Sequence, residues 1–126
     1  MNTDNGFGNL KVYKMAFSLA MQVFEISKSF PKEEQYALTD QIRRSSRSVC
    51  SNVAEGYRKR IYPKHFTTKM SDADGECSET LVWLDFAKAC NYINRETYAQ
   101  LATQYSEVGR MLGGMAKYPE RFLPQK

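Results

Sequence analysis

The chain has 126 residues and a mass of 14.5 kDa, one domain's worth and enough to bury a single core. Hydrophobic residues make up 42% and charged residues 25%, which excludes a disordered chain, and no apolar run approaches the roughly 20 residues that span a bilayer. The net charge is +4, but residues 41–65 alone hold seven basic side chains against one acid, Glu55, while the stretches on either side are slightly acidic.

Three cysteines, Cys50, Cys77 and Cys90, are an odd number without CxxC spacing. They predict reduced thiols rather than a disulfide framework, and so a cytoplasmic protein. The opening MNTDNGFGNL has neither a basic n-region nor an apolar h-region, so no secretory signal is expected. Residues 1–8 and 119–126 are expected as tails around a single domain at 9–118.

In chain order, four segments carry helical periodicity. The first, about 9–30, places Val12, Ala16, Leu19, Val23, Ile26 and Phe30 at alternating steps of four and three. The second, about 33–58, puts Leu38, Ile42, Val49, Val53 and Gly56 on one face, with small Ser45 and Ser46 beside them. The third, about 63–91, repeats the alternation through Phe66, Met70, Ala73, Cys77, Thr80, Leu84 and Ala87. The fourth, about 95–118, does so through Tyr98, Leu101, Tyr105, Val108, Leu112 and Met115, and Gly113-Gly114 should weaken its end. These steps are the seams of packed helices, not the period of strands.

Punctuation agrees with the periodicity. Pro31 and Pro63 open segments, where a missing N–H costs nothing, and Asn94 suits an N-cap with Glu96 in the first turn. Connections are short, which makes neighbours antiparallel. The predicted fold is therefore all-α, an up-down-up-down antiparallel four-helix bundle.

The second segment carries more than a core stripe. At roughly 100° per residue, Gln41, Ser48, Asn52, Glu55 and Lys59 fall on a polar seam beside the core face. Such a seam suits a helix or subunit contact that needs register, with Glu79 and Trp83 of the third segment as further candidates; plain solvated surface is the rival explanation. Arg44, Arg47 and Arg58 point away from the core, and Arg43 lies on the flank. The chain then runs Gly56-Tyr57-Arg58-Lys59-Arg60-Ile61-Tyr62-Pro63-Lys64-His65. Basic residues interleaved with aromatics can grip phosphates while rings stack on unpaired bases. Arg43, Arg44, Arg47, Arg58, Lys59, Arg60 and Lys64 are thus candidate phosphate contacts, with Tyr57 and Tyr62 as candidate stacking groups. Against this stands neutralisation: Asp72, Glu76 and Glu79 share one stripe of the third segment and could absorb the arginines.

Catalytic signatures are missing. His65 is the only histidine, so the paired Glu-x-x-His motifs of a di-iron bundle cannot be assembled. There is no GxxxxGK[ST] loop, and Ser45, Ser46, Ser48 and Ser51 have no His–Asp arrangement near them. Glu76-x-x-Glu79 reads as a solvated or salt-bridged pair. Neither a catalytic residue nor a metal or cofactor is expected; Cys50 should pack rather than react. Trp83, near Phe86 and Cys90, suggests a wide apolar face shared with another subunit.

The run from Gln41 to Tyr57, QIRRSSRSVCSNVAEGY, resembles the signature of the small bacterial four-helix bundle family called 23S rRNA-intervening-sequence proteins, also labelled S23 ribosomal proteins. Val12 to Phe24, Phe30-Pro31 with Glu34, Tyr36, Leu38 and Thr39, and then Gly75, Glu79-Thr80 and Trp83-Leu84 fit as well, so the resemblance spans about residues 10–115. It implies a non-enzymatic protein that assembles as a ring-like homo-oligomer, often a pentamer. The family is similar in fold to the accessory variability protein of diversity-generating retroelements, a basic bundle that binds nucleic acid and a reverse transcriptase. Where the family often has Gly-Tyr-Gly-Arg, here Tyr57 is followed by Arg58 and Lys59, a more basic and stiffer turn.

Two functions follow as expectations. One is an oligomeric module binding RNA or DNA backbone through the basic patch, without a membrane role. The other is a protein-interaction scaffold whose arginines serve internal or intersubunit salt bridges.

Overall fold

The computed structural model describes residues 6–124. Four long helices follow one another: α1 (Lys11–Ser27), α2 (Leu38–Arg58), α3 (Pro63–Ala89) and α4 (Arg95–Lys117). Among the described residues there is no strand. Each helix packs on its neighbours in the order α1, α2, α3, α4 and back to α1, the up-down-up-down bundle that short connections dictate. The α2–α3 contact is the most extensive and α1–α4 the slightest.

The core is the set of periodic positions. Val12, Ala16, Leu19 and Val23 of α1 are buried with Ile42, Val49 and Val53 of α2, all seven seam residues of α3, and Leu101, Tyr105, Val108, Leu112 and Met115 of α4. Ile26 and Tyr98, expected on the same seams, are only half-buried. They stand at helix ends, where the bundle opens to solvent. Phe30 is buried but lies beyond the end of α1, in the turn, against the Tyr92 ring at 5.5 Å.

Local chemistry sets the boundaries. Asn94 accepts a hydrogen bond from the Thr97 amide at 2.7 Å and starts α4, as an N-cap should. Pro63 is the first residue of α3. At the far end of α3, Asn91 has φ 63°, the left-handed conformation that asparagine tolerates better than branched residues. Its own amide bonds Lys88 O at 3.0 Å and the Tyr92 amide bonds Ala87 O at 2.8 Å, which is a Schellman closure.

The second segment starts later than its periodicity suggested. Lys32–Glu34 is a 3-10 turn, and α2 begins only at Leu38. Glu34 explains the break, because its Oε1 accepts from the Leu38 amide at 3.2 Å and its Oε2 from the Tyr92 hydroxyl at 2.9 Å. One carboxylate thereby caps α2 and fastens its entry to the α3–α4 turn. Gly113-Gly114 does not end α4, which continues to Lys117.

Both chain ends carry a further single turn, Phe7–Asn9 and Pro119–Phe122. The sequence suggested loose tails here. Instead Phe122 stacks on Phe66 at 5.3 Å and Phe7 meets Tyr13 edge-on at 5.1 Å, so rings tie each turn to the bundle. The remaining expected tail positions, 1–5 and 125–126, lie outside the described residues.

Candidate nucleic-acid interface

Helix α2 presents three faces. Its core face reaches α3 most closely at Gly56, where an added Cβ would stand 2.6 Å from Met70 Cε and 2.8 Å from Lys69 Cβ. Ser45, also buried, meets Thr80 Oγ1 at 2.8 Å. Each hydroxyl also reaches a carbonyl of its own helix, Thr80 to Glu76 O at 2.9 Å and Ser45 to Ile42 O at 3.4 Å, and either can donate to the other. Small side chains and one satisfied hydroxyl relay let the two helices approach.

The polar seam flanks this contact with two ion pairs between the helices. Arg44 Nη2 bonds Glu79 Oε2 at 2.9 Å, and Lys69 Nζ bonds Glu55 Oε1 at 2.8 Å. Eleven residues forward on α2 match ten residues backward on α3, the signature of an antiparallel pair. Arg44 also donates to Gln41 Oε1 at 2.9 Å, and Trp83 Nε1 donates to Glu79 Oε2 at 3.3 Å. Between these ties, Asn52 Nδ2 donates to Ser48 O at 2.9 Å within the helix. The hydrogen bond to Glu55 holds the Lys69 ammonium above its usual pKa. Gln41, Glu79 and Trp83 are thus joined around Arg44, and Glu55 pairs with Lys69, whereas Ser48 and Asn52 bond one another within α2.

The third face bears the arginines. Neutralisation by α3 reaches one of them, Arg44. Arg43 Nε donates to Ser27 Oγ at 2.7 Å, and its guanidinium lies 4.7 Å from the centre of the Phe24 ring. Arg47 stands over the same ring at 5.6 Å, and Lys28 at 4.9 Å. Neither Arg43 nor Arg47 has a carboxylate within salt-bridge distance among the described residues. With Arg44, Tyr36, Thr39, Asp40, Ser48 and Ser51 they line an open hollow of about 680 Å³.

The α2–α3 turn forms a second basic group. Arg58, Lys59 and Lys64 are exposed, and Tyr62 is 61% exposed. Arg60 differs from them. Its guanidinium lies 4.0 Å over the Tyr57 ring and donates to Tyr57 O at 3.0 Å, so this arginine and this ring cover one another. From Arg47 to Arg58 the helix rises about 16 Å at 1.5 Å per residue. The basic surface is thus two clusters rather than one patch.

Periodicity alone did not single out Phe24, Ser27 or Tyr36. The first two sit at a helical step of three beside the α1 core seam, and Lys28 follows at four from Phe24. That spacing was a readable signal. Tyr36 is 86% exposed, in the turn before α2, and only the packing of that turn brings it to the hollow.

Two of the three thiols are occupied with packing, while Cys90 and His65 are exposed. Burial pushes the Cys50 thiol up to about 11 and the Cys77 thiol up to about 12, which keeps both protonated and poorly nucleophilic. Among the described residues, Asp72, Glu76 and Glu79 belong to no group of three or more side chains that could hold a metal ion, and no helix is long and apolar enough to cross a membrane.

The family model described as 23S rRNA-intervening sequence protein matches residues 8–114. Among solved structures, the chain is similar to a protein of unknown function from the S23 ribosomal protein family of Bacteroides thetaiotaomicron. The two are 25% identical with a TM-score of 0.76, covering 84% of this chain and 95% of the other. No curated protein matches.

Proposed function

The chain belongs to the 23S rRNA-intervening sequence protein family, and from that premise we propose that it is a non-enzymatic, self-associating module that binds nucleic acid through its backbone phosphates. The observation that carries this is the state of the cations. Of seven basic side chains between Arg43 and Lys64, Arg44 alone is paired with a carboxylate among the described residues. A surface this basic and this little neutralised attracts a polyanion at a cost that salt can tune. Arg43, Arg44 and Arg47 would meet phosphates from one cluster, and Arg58, Lys59, Arg60 and Lys64 from the other. Tyr62 is open for stacking, whereas Tyr57 would first have to release Arg60.

Self-association is supported by a different surface. Val82 is 46% and Phe86 54% exposed on α3, and Phe86 lies 6.0 Å from the half-buried Trp83 ring. Trp83 and Phe86 line a cleft of about 250 Å³ with Glu34, Ala37, Leu38 and Gln41. Apolar rings left on a helix face suit a second copy. The scaffold alternative is favoured by one contact, the Arg44–Glu79 pair, which occupies an arginine within the chain.

Binding of labelled structured RNA and duplex DNA, titrated against salt, tests the main proposal. Affinity should fall linearly on a log–log plot, and Arg58→Ala/Lys59→Ala/Arg60→Ala should flatten that slope by about 2–3. An affinity indifferent to salt and to the triple variant would leave only the scaffold.

A further inference from the structure

The hollow on α2 is more specific than a charged surface needs to be. Among the described residues Arg43 uses only Nε on Ser27, and its planar group is braced against Phe24, which leaves the Nη donors of the fork unspent there. Arg47 makes no hydrogen bond to the protein among the described residues, and it is braced on the same ring. Arg43 is therefore oriented before any ligand arrives, exposed Arg47 lies beside it over the same ring, and Arg44 adds a third already shared with Glu79. Asp40 is the single carboxylate of the lining, so the hollow keeps a positive balance. At its rim the Tyr36 ring is 86% exposed, and no aromatic partner lies against it among the described residues. A volume of about 680 Å³ lies within the roughly 300–1,000 Å³ usual for a small-ligand site.

Resting on the nucleic-acid proposal, we infer that this hollow holds one unpaired nucleotide, its phosphate on Arg43 and Arg47 and its base stacked on Tyr36. Oriented forks suit a phosphate, and an exposed ring offers a face to any base without regard to sequence. A base inside a duplex cannot reach the ring, because its faces are already covered. The cations of the α2–α3 turn, by contrast, need only the backbone and accept either form, and the exposed Tyr62 beside them adds a second stacking ring. The protein should accordingly prefer single-stranded to double-stranded nucleic acid, and the share of that preference supplied by the hollow should reside at Tyr36.

Fluorescence anisotropy with a labelled oligoadenylate dodecamer and a labelled RNA duplex of equal length tests this at ~100 mM salt. Tyr36→Ala removes an exposed ring and leaves the core intact. It should weaken the single strand about tenfold and the duplex less than twofold, and Tyr36→Phe should bind as the parent does. Arg47→Ala should weaken both probes. If Tyr36→Ala changes neither probe, or both equally, the hollow is not a nucleotide site. Should the Arg58/Lys59/Arg60 triple alanine variant still weaken binding in that case, the basic turn survives as the interface. If neither probe binds the parent protein, the nucleic-acid proposal falls as well.

Discussion

Gly56 illustrates how much one residue can decide. Any Cβ at this position would meet Met70 and Lys69 well inside van der Waals contact. Cβ of Lys69 is anchored to its helix, so α2 and α3 must move apart. Gly56→Ala gains helix propensity worth about 1 kcal/mol, yet overpacking of a buried contact costs about 1–3 kcal/mol. The clash should win, and chemical denaturation should show a net loss. Gly113→Ala provides the control. Nothing lies within 4 Å of its Cβ position, so propensity acts alone and the midpoint should rise. The thiols act at the same scale. Cys50 and Cys77 have pKa values raised by burial to about 11 and about 12 from an ordinary 9.0. Folding favours the protonated thiol, so stability is intact below pH 9 and falls as pH rises toward those values. Unfolding measured from pH 8 to 11 should show this decline, and Cys77→Ala should lessen its slope whatever it does to absolute stability.

At the scale of elements, the α2–α3 pair holds its register by two unequal means. Its exposed ion pairs contribute about 0.2–1 kcal/mol each and weaken with salt, so Glu79→Ala should cost under about 1 kcal/mol, and less at 1 M salt. Its buried contacts, Gly56 against Met70 and Ser45 on Thr80, do not depend on salt. The helix ends add local terms. Asn94→Ala removes the bond to the Thr97 amide and should cost about 1 kcal/mol, seen as a lower melting temperature. Elements are also where sequence and structure part. The four seams and the caps at Pro63 and Asn94 were legible because periodicity and capping are local chemistry. The start of α2 was not. Periodicity reaches back to residue 33, but Glu34 takes the Leu38 amide and the Tyr92 hydroxyl, and Tyr92 comes from the far end of α3. Likewise the rings of Phe7 and Phe122 look like tail residues until Tyr13 and Phe66 are placed beside them.

For the whole molecule, the arrangement of charge matters more than its sum. The excess gathers along α2 and the turn after it, and the bundle divides it into two clusters with different habits. One is braced on Phe24 beside a hollow, and the other sets exposed Arg58, Lys59 and Lys64 beside a half-buried Arg60 at the end of α2. Both should contribute to the salt dependence of polymer binding, but only the first adds a hollow to an exposed ring.

The identity of the helices, their order and the place of the charge were determined by the amino-acid sequence, because 3.6-residue periodicity, proline and asparagine punctuation and charge are properties of neighbouring residues. Which cations keep their charge for a ligand was decided only by tertiary structure. Glu79 of α3 pairs with Arg44, and Phe24 and Ser27 of α1 brace Arg43 while leaving its Nη donors open. Pairing across helices depends on rotation and register, set when the small residues of α2 settle against α3.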